Sequence, residues 1–196
     1  MIFTVIYDLK GSKSIVRVLC FITKYFKTSL IILLGNTASP TIIEWLKSKC
    51  ELNILGIIGE YDTVAVATAL SRINGLVECK YVKYNGVAFL GLGLSGCQEA
   101  NTERVDLFLS SKPGLYYTCC HSCSDRVDSV VKRVNPRLLI TGSCRKPCYD
   151  PSKRVFSPGS VRLGYIGLVE LSERGELHIR SLNIEKTTIE LNHYLN

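Results

Sequence analysis

The sequence predicts a layered α/β domain built on mixed β-sheets, and three observations carry that prediction. Short continuous apolar runs alternate with amphipathic helical segments through residues 1–73, the pattern of β-α-β units with buried parallel strands. Asn85-Gly86 then stands between two apolar runs, the strongest two-residue signal for an antiparallel hairpin. The chain of 196 residues is 46% hydrophobic and 21% charged, ordinary values for a globular protein, and is long enough to bury one sizeable core without a staple. Residues 1–196 therefore read as one domain, with neither an internal repeat nor a long linker.

Each element has its own justification. Phe3 to Tyr7 is a buried strand ending at Asp8. Between Ser14 and Lys27, Ile15, Val18, Leu19, Ile22 and Phe26 fall on one helical face, and Leu30 to Leu34 returns as a second strand. Ser39 is a suitable N-cap with Pro40 at the first helical position, so Thr41 to Lys49 forms a second helix. The strand Ile54 to Ile58 and a helix from about Thr63 to Ile73 follow. Val77 to Tyr84 and Val87 to Leu92 make the hairpin, and Val105 to Leu109 is a further strand. Ser124 caps a helix carrying Val127, Val130, Val131 and Val134, and Leu138 to Thr141 is a strand after Pro136. Two last strands, about Arg162 to Leu171 and Glu176 to Ile184, meet at a turn around Arg174-Gly175.

Composition excludes some functional classes. No apolar run approaches the roughly 18 residues of a membrane span, and Met1 to Ile6 carries neither a basic segment nor a small-residue cleavage site, so a cytoplasmic protein without a membrane partner is expected. Twenty-four Lys and Arg against 17 Asp and Glu leave a formal charge of +7, which favours an anionic contact without specifying it. Gln98 and Met1 are the sole residues of their kinds while Lys, Arg and Ile are plentiful, a usage that fits a thermophile.

Five loops follow the C-terminal ends of strands, where open α/β sheets bind ligands. They read Tyr7-Asp8-Leu9-Lys10-Gly11, Leu34-Gly35-Asn36-Thr37, Gly59-Glu60-Tyr61-Asp62, Ser110-Ser111-Lys112-Pro113 and Thr141-Gly142-Ser143-Cys144-Arg145, followed by Ser157-Pro158-Gly159-Ser160. Their order and spacing resemble the calcineurin-like metallophosphoesterases, with the patterns Asp-x-His, Gly-Asp, Gly-Asn-His, a lone His, Gly-His-x-His and often Asn-Pro-Gly-Ser. The likeness covers nearly the whole chain and is nearest to the small archaeal and bacterial phosphodiesterases. It implies a four-layer αββα sandwich, two mixed β-sheets flanked by helices.

Carried over position by position, the resemblance implies a site that has lost its metal ligands. Asp8 is retained. Lys10 stands where the first motif has His, Asn36 where the metal-bridging Asp would be, Glu60 for the Asn of the third motif, Ser111 near the lone His, and Ser143 and Arg145 for the last two histidines. Lys10 and Arg145 have no lone pair to offer a metal and would instead neutralise Asp8 as an ion pair. Asn36, Glu60, Ser111 and Ser143 are oxygen donors with one charge among them, able at most to hold one hard divalent cation weakly. No catalytic residue and no cofactor is therefore expected, and the implied role is that of a non-catalytic interaction or scaffold protein bound to another protein. The alternatives are an altered phosphodiesterase and a phosphate- or nucleic-acid-binding module, for which Lys10, Lys112 and Arg145 are the anion-binding candidates.

Nine cysteines are many for a cytoplasmic chain. Cys119, Cys120 and Cys123 precede Cys144 and Cys148 with a spacing within reach of a structural zinc site, while disulfides between the two groups and reduced thiols remain open. Cys20, Cys50 and Cys79 read as core or element-end thiols.

Overall fold

The structure, a computed structural model, describes residues 1–94, 104–120, 124–172 and 174–187. Its first half alternates β1 (Ile2–Ile6), α1 (Lys13–Tyr25), β2 (Leu30–Leu33), α2 (Pro40–Cys50), β3 (Asn53–Gly56) and α3 (Val64–Arg72). The hairpin β4 (Tyr81–Tyr84) and β5 (Val87–Leu92) follows, turning at Asn85-Gly86, both in left-handed conformation. Then come β6 (Leu107–Ser110), α4 (Asp125–Val134), β7 (Leu138–Thr141), β8 (Cys148–Asp150), β9 (Val155–Ser157), β10 (Tyr165–Leu171) and β11 (Leu177–Asn183).

Two mixed sheets result, ordered β11-β10-β1-β2-β3 and β4-β5-β6-β7-β9-β8. In the first, β1, β2 and β3 are parallel while β10 and β11 run antiparallel; in the second, β5, β6, β7 and β9 are parallel and the edge strands β4 and β8 antiparallel. Strand periodicity explains the layering. Phe3, Val5, Leu30 and Ile32 face Phe89, Leu107, Leu109 and Ile140 of the other sheet in one core, with Phe3 and Phe89 meeting edge to face at 5.7 Å. The alternate residues Ile6, Ile31 and Leu33 pack on Val16, Leu19 and Ile22 of α1 and Leu46 of α2, while Phe108 and Leu139 pack on Val127, Val130 and Val131 of α4. The expected four-layer αββα sandwich is the architecture observed.

The structure departs from the sequence reading in several places. The strand expected from Val77 begins at Tyr81, because Cys79 turns left-handed and Val77 bonds instead to Gly56. Arg162 lies in a short 3-10 turn, Val161–Leu163, ahead of β10, and the three-residue strands β8 and β9 carry too little periodicity to be read. Ser39 and Ser124 occupy their N-cap positions in extended conformation, but their side chains make no capping hydrogen bond. Cys20 and Cys50 are not free thiols: a disulfide joins α1 to the end of α2, and Cys79 is also disulfide-bonded. On a chain-entropy basis, a cross-link spanning 30 residues stabilises by about 3–4 kcal/mol.

Among the described residues no helix is long and apolar enough to cross a membrane.

Candidate functional site

The parallel strands of both sheets deliver their loops to one end of the molecule, where backbone hydrogen bonds sew them together. Asp8 N–H donates to Gly35 O at 3.3 Å, Lys10 N–H to Asn36 O at 2.9 Å and Gly11 N–H to Thr37 O at 2.9 Å, tying the first loop to the second. Gly142 N–H donates to Ser110 O at 2.9 Å, and Val161 N–H to Tyr7 O at 2.9 Å, bringing in the second sheet. The second and third loops cross so closely that glycine is required at both: Gly35 has φ +93°, and a Cβ there would lie 2.7 Å from Gly59 Cα, while a Cβ on Gly59 would lie 2.4 Å from Asn36 Oδ1.

Asp62 fastens this crossing. Its carboxylate accepts the backbone N–H groups of Asn36 at 2.8 Å, Ala38 at 2.7 Å and Gly59 at 2.8 Å. These bonds hold Asn36 and Ala38 in left-handed conformation, at φ 57° and 62°. Asp8, Lys10 and Ser143 are also left-handed, at φ 71°, 42° and 61°. Such backbone strain, of order 1–3 kcal/mol for a residue in a sparsely populated region, concentrates at functional sites and persists where neighbours over-determine it.

A cavity of about 500 Å³ opens above these loops, lined by the buried or half-buried Tyr7, Asp8, Lys10, Asn36, Ser143, Cys144 and Ser160 as its floor and by the exposed Glu60, Arg145 and Arg162 at its rim. Asp8 is one of the two carboxylates of this lining. Its Oδ2 accepts the Ser160 hydroxyl at 2.7 Å, and its buried Oδ1, which has no hydrogen bond among the described residues, lies 3.7 Å from the Lys10 ammonium. Lys10 Nζ also sits 3.9 Å from the centre of the Tyr61 ring, a cation–π contact that holds the ammonium over the carboxylate. Asn36, buried in the floor, spends its side chain internally: Nδ2 donates to Tyr7 Oη at 2.9 Å and Oδ1 accepts Tyr61 N–H at 3.1 Å. Burial raises the Tyr7 phenol above its ordinary range, with neighbouring Ser143 offsetting part of the effect, so the ring remains neutral at physiological pH.

The structure brings Asp8, Lys10, Asn36, Glu60, Ser143 and Arg145 to this one cavity. Ser111 is buried beside it and contributes its carbonyl, which accepts the Ser143 hydroxyl at 2.9 Å. Two expectations are corrected. Arg145 does not pair with Asp8: it is exposed on the rim and has no ion pair among the described residues, leaving Lys10 as the counter-charge. Lys112 does not line the cavity: its ammonium pairs with the carboxylate of Glu60, which does.

Two contributors go unassigned in the sequence pattern, Ser160 and Arg162. The motif Ser157-Pro158-Gly159-Ser160 was the available signal, since it places Ser160 against Asp8 and starts the turn that carries Arg162 to the rim. Arg162, like Arg145, is exposed and has no ion pair among the described residues.

Cys119–Cys148 and Cys120–Cys144 are disulfides beside the site. With Ser143, Arg145 and Leu163 they border a second cavity of about 940 Å³ adjoining the first. Cys123 lies outside the described residues.

The sequence matches no family model, and no curated protein matches it. Solved structures do resemble it. The protein TT1561 of Thermus thermophilus superposes with a TM-score of 0.75 at 13% identity, over 93% of this chain and 98% of the other. An archaeal phosphodiesterase gives 0.62 at 16% identity, over 93% and 100%, and a dimetal phosphatase from Danio rerio gives 0.65 at 11%, over 94% and 96%. The fold is therefore the metallophosphoesterase fold.

That fold implies two metals at this end of the sheets, and the donor set in this chain does not fit them. The orphaned Asp8 Oδ1 already faces an ammonium, Asn36 has no charge to bridge two cations and is hydrogen-bonded at both ends, Glu60 is paired with Lys112, and the Ser143 hydroxyl donates to Ser111.

Proposed function

We propose that this chain is a non-catalytic interaction protein that receives an anionic group of its partner in the Asp8 cavity. The observation that supports this most is the Lys10 ammonium against Asp8, which supplies the neutralising charge internally and leaves the floor without a free carboxylate. With Asp8 matched by Lys10 and Glu60 by Lys112, Arg145 and Arg162 are left without an ion pair among the described residues, around a cavity large enough for a phosphate or carboxylate. Guanidinium groups bind such anions bidentately, whereas the Ser160 and Ser143 hydroxyls of the same cavity already donate to Asp8 and to the Ser111 carbonyl.

The test is titration with inorganic phosphate at low salt, followed by the amide spectrum of the five loops and by thermal stability. Millimolar phosphate is expected to shift the signals around Ser143–Arg145 and Ser160–Arg162 and to raise the melting temperature. The effect should fade as salt approaches physiological strength, where charges are screened over about 8 Å. Arg145→Ala combined with Arg162→Ala should abolish it without unfolding the chain, since both side chains are exposed. An unchanged spectrum in the wild-type protein would contradict the reading.

A further inference from the structure

Cys119, Cys120 and Cys144 lie in two loops and Cys148 opens β8, and together they form a group of sulfur atoms beside the Asp8 cavity, which Cys144 also lines, without depending on the reading given for that cavity. The Sγ atoms of Cys119, Cys144 and Cys148 all lie within 4.8 Å of one another, and Cys120 is bonded directly to Cys144. Cys148 Sγ is 3.9 Å from Cys144 Sγ although these two are not bonded to each other. In a tetrahedral zinc site with Zn–S bonds of about 2.3 Å, the sulfur atoms are about 3.8 Å apart. The separation between the two disulfides is thus already that of one edge of a zinc–thiolate tetrahedron.

We propose that these four cysteines form a zinc site when the two disulfides are reduced, so that the cluster exists in a cross-linked and a metal-bound state. A dithiol reductant supplies the electrons: each disulfide takes up two electrons and two protons to become two thiols, while a reductant molecule closes to its own cyclic disulfide. Zinc then displaces the four thiol protons and is held by four thiolates with a net charge of −2. Arg145 and Lys146 line the same cavity and offset that charge. Soft thiolates select zinc over the hard cations that oxygen donors would take. Because Cys144 lies between Ser143 and Arg145, either state anchors the fifth loop of the neighbouring site.

The experiment uses the full chain, reduced with dithiothreitol and freed of it under argon, and titrated with cobalt(II) as a spectroscopic probe and then with zinc. One cobalt per chain should bind, with thiolate charge-transfer bands and the intense visible bands of tetrahedral coordination, and zinc should displace it. The oxidised chain should bind none. Cys119→Ser, Cys120→Ser, Cys144→Ser and Cys148→Ser should each remove the four-thiolate signature, whereas the Cys20→Ser, Cys50→Ser double variant should keep it. Absence of the signature in the reduced wild-type chain, read without any variant, would overturn the proposal. Its loss in Cys123→Ser but not in Cys120→Ser would overturn the assigned ligand set.

Discussion

Asp62→Ala is expected to lower the free energy of unfolding by about 3–4 kcal/mol, measured by urea denaturation. The carboxylate accepts three backbone N–H groups from two different loops, and hydrogen bonds to a charged group contribute about 1.5–3 kcal/mol each. Water reaches the partly exposed Asp62 and recovers some of that sum. What water cannot restore is the restraint on Ala38, an alanine held at φ 62°, where a β-carbon is disfavoured by roughly 1–2 kcal/mol. Asp62→Asn should fall between wild type and Ala, because its amide offers one accepting oxygen to three donors. A loss below 1 kcal/mol for the alanine variant would mean that the loops are held by their glycine crossing alone.

Asp8→Ala is expected to cost about 2–3 kcal/mol. The substitution strips the Ser160 hydroxyl of its acceptor and the Lys10 ammonium of its counter-charge, and it puts alanine at φ 71°. Breaking a fully buried ion pair costs about 3–5 kcal/mol, but Lys10 retains 30% of its exposure and its contact with Tyr61, so part of that cost is avoided. Asp8→Asn keeps an acceptor for Ser160 and tolerates the left-handed backbone, and should lose about half as much. An Asp8→Ala protein as stable as wild type would show Asp8 to be solvated and the pairing with Lys10 to be inconsequential.

Much of this architecture is legible in the chain because its strands are continuous apolar runs and its helices carry one-sided apolar stripes. Phe3 and Val5 against Ile6, or Leu107 and Leu109 against Phe108, divide between two cores by the period of the strand alone. The convergence of Asp8, Asn36, Glu60 and Ser143 follows from parallel connectivity, since each loop leaves the same end of its sheet. Which charges meet does not follow. Arg145 and Lys10 are equivalent as partners for Asp8 on paper; the left-handed turn at Lys10 and the stacking ring of Tyr61 decide between them. Lys112 is likewise claimed by Glu60 across two loops that no local pattern connects. Cysteine pairing is hidden for the same reason: the Cys20–Cys50 cross-link depends on α1 and α2 lying side by side on the first sheet, which spacing does not encode.

The central claim is that the Asp8 cavity binds an anion without hydrolysing it, and turnover of an activated phosphodiester tests it most directly. Bis(p-nitrophenyl) phosphate should be incubated with the protein and saturating manganese(II), beside the metal alone and beside Asp8→Ala. Release of p-nitrophenol is expected at the metal-only rate for both proteins, because Asp8 is engaged by Lys10, Asn36 by Tyr7 and Tyr61, Glu60 by Lys112, and Ser143 by Ser111. Manganese-dependent release that saturates with substrate in the wild-type protein and disappears in Asp8→Ala would contradict it, and would make this cavity an active site with an altered ligand set.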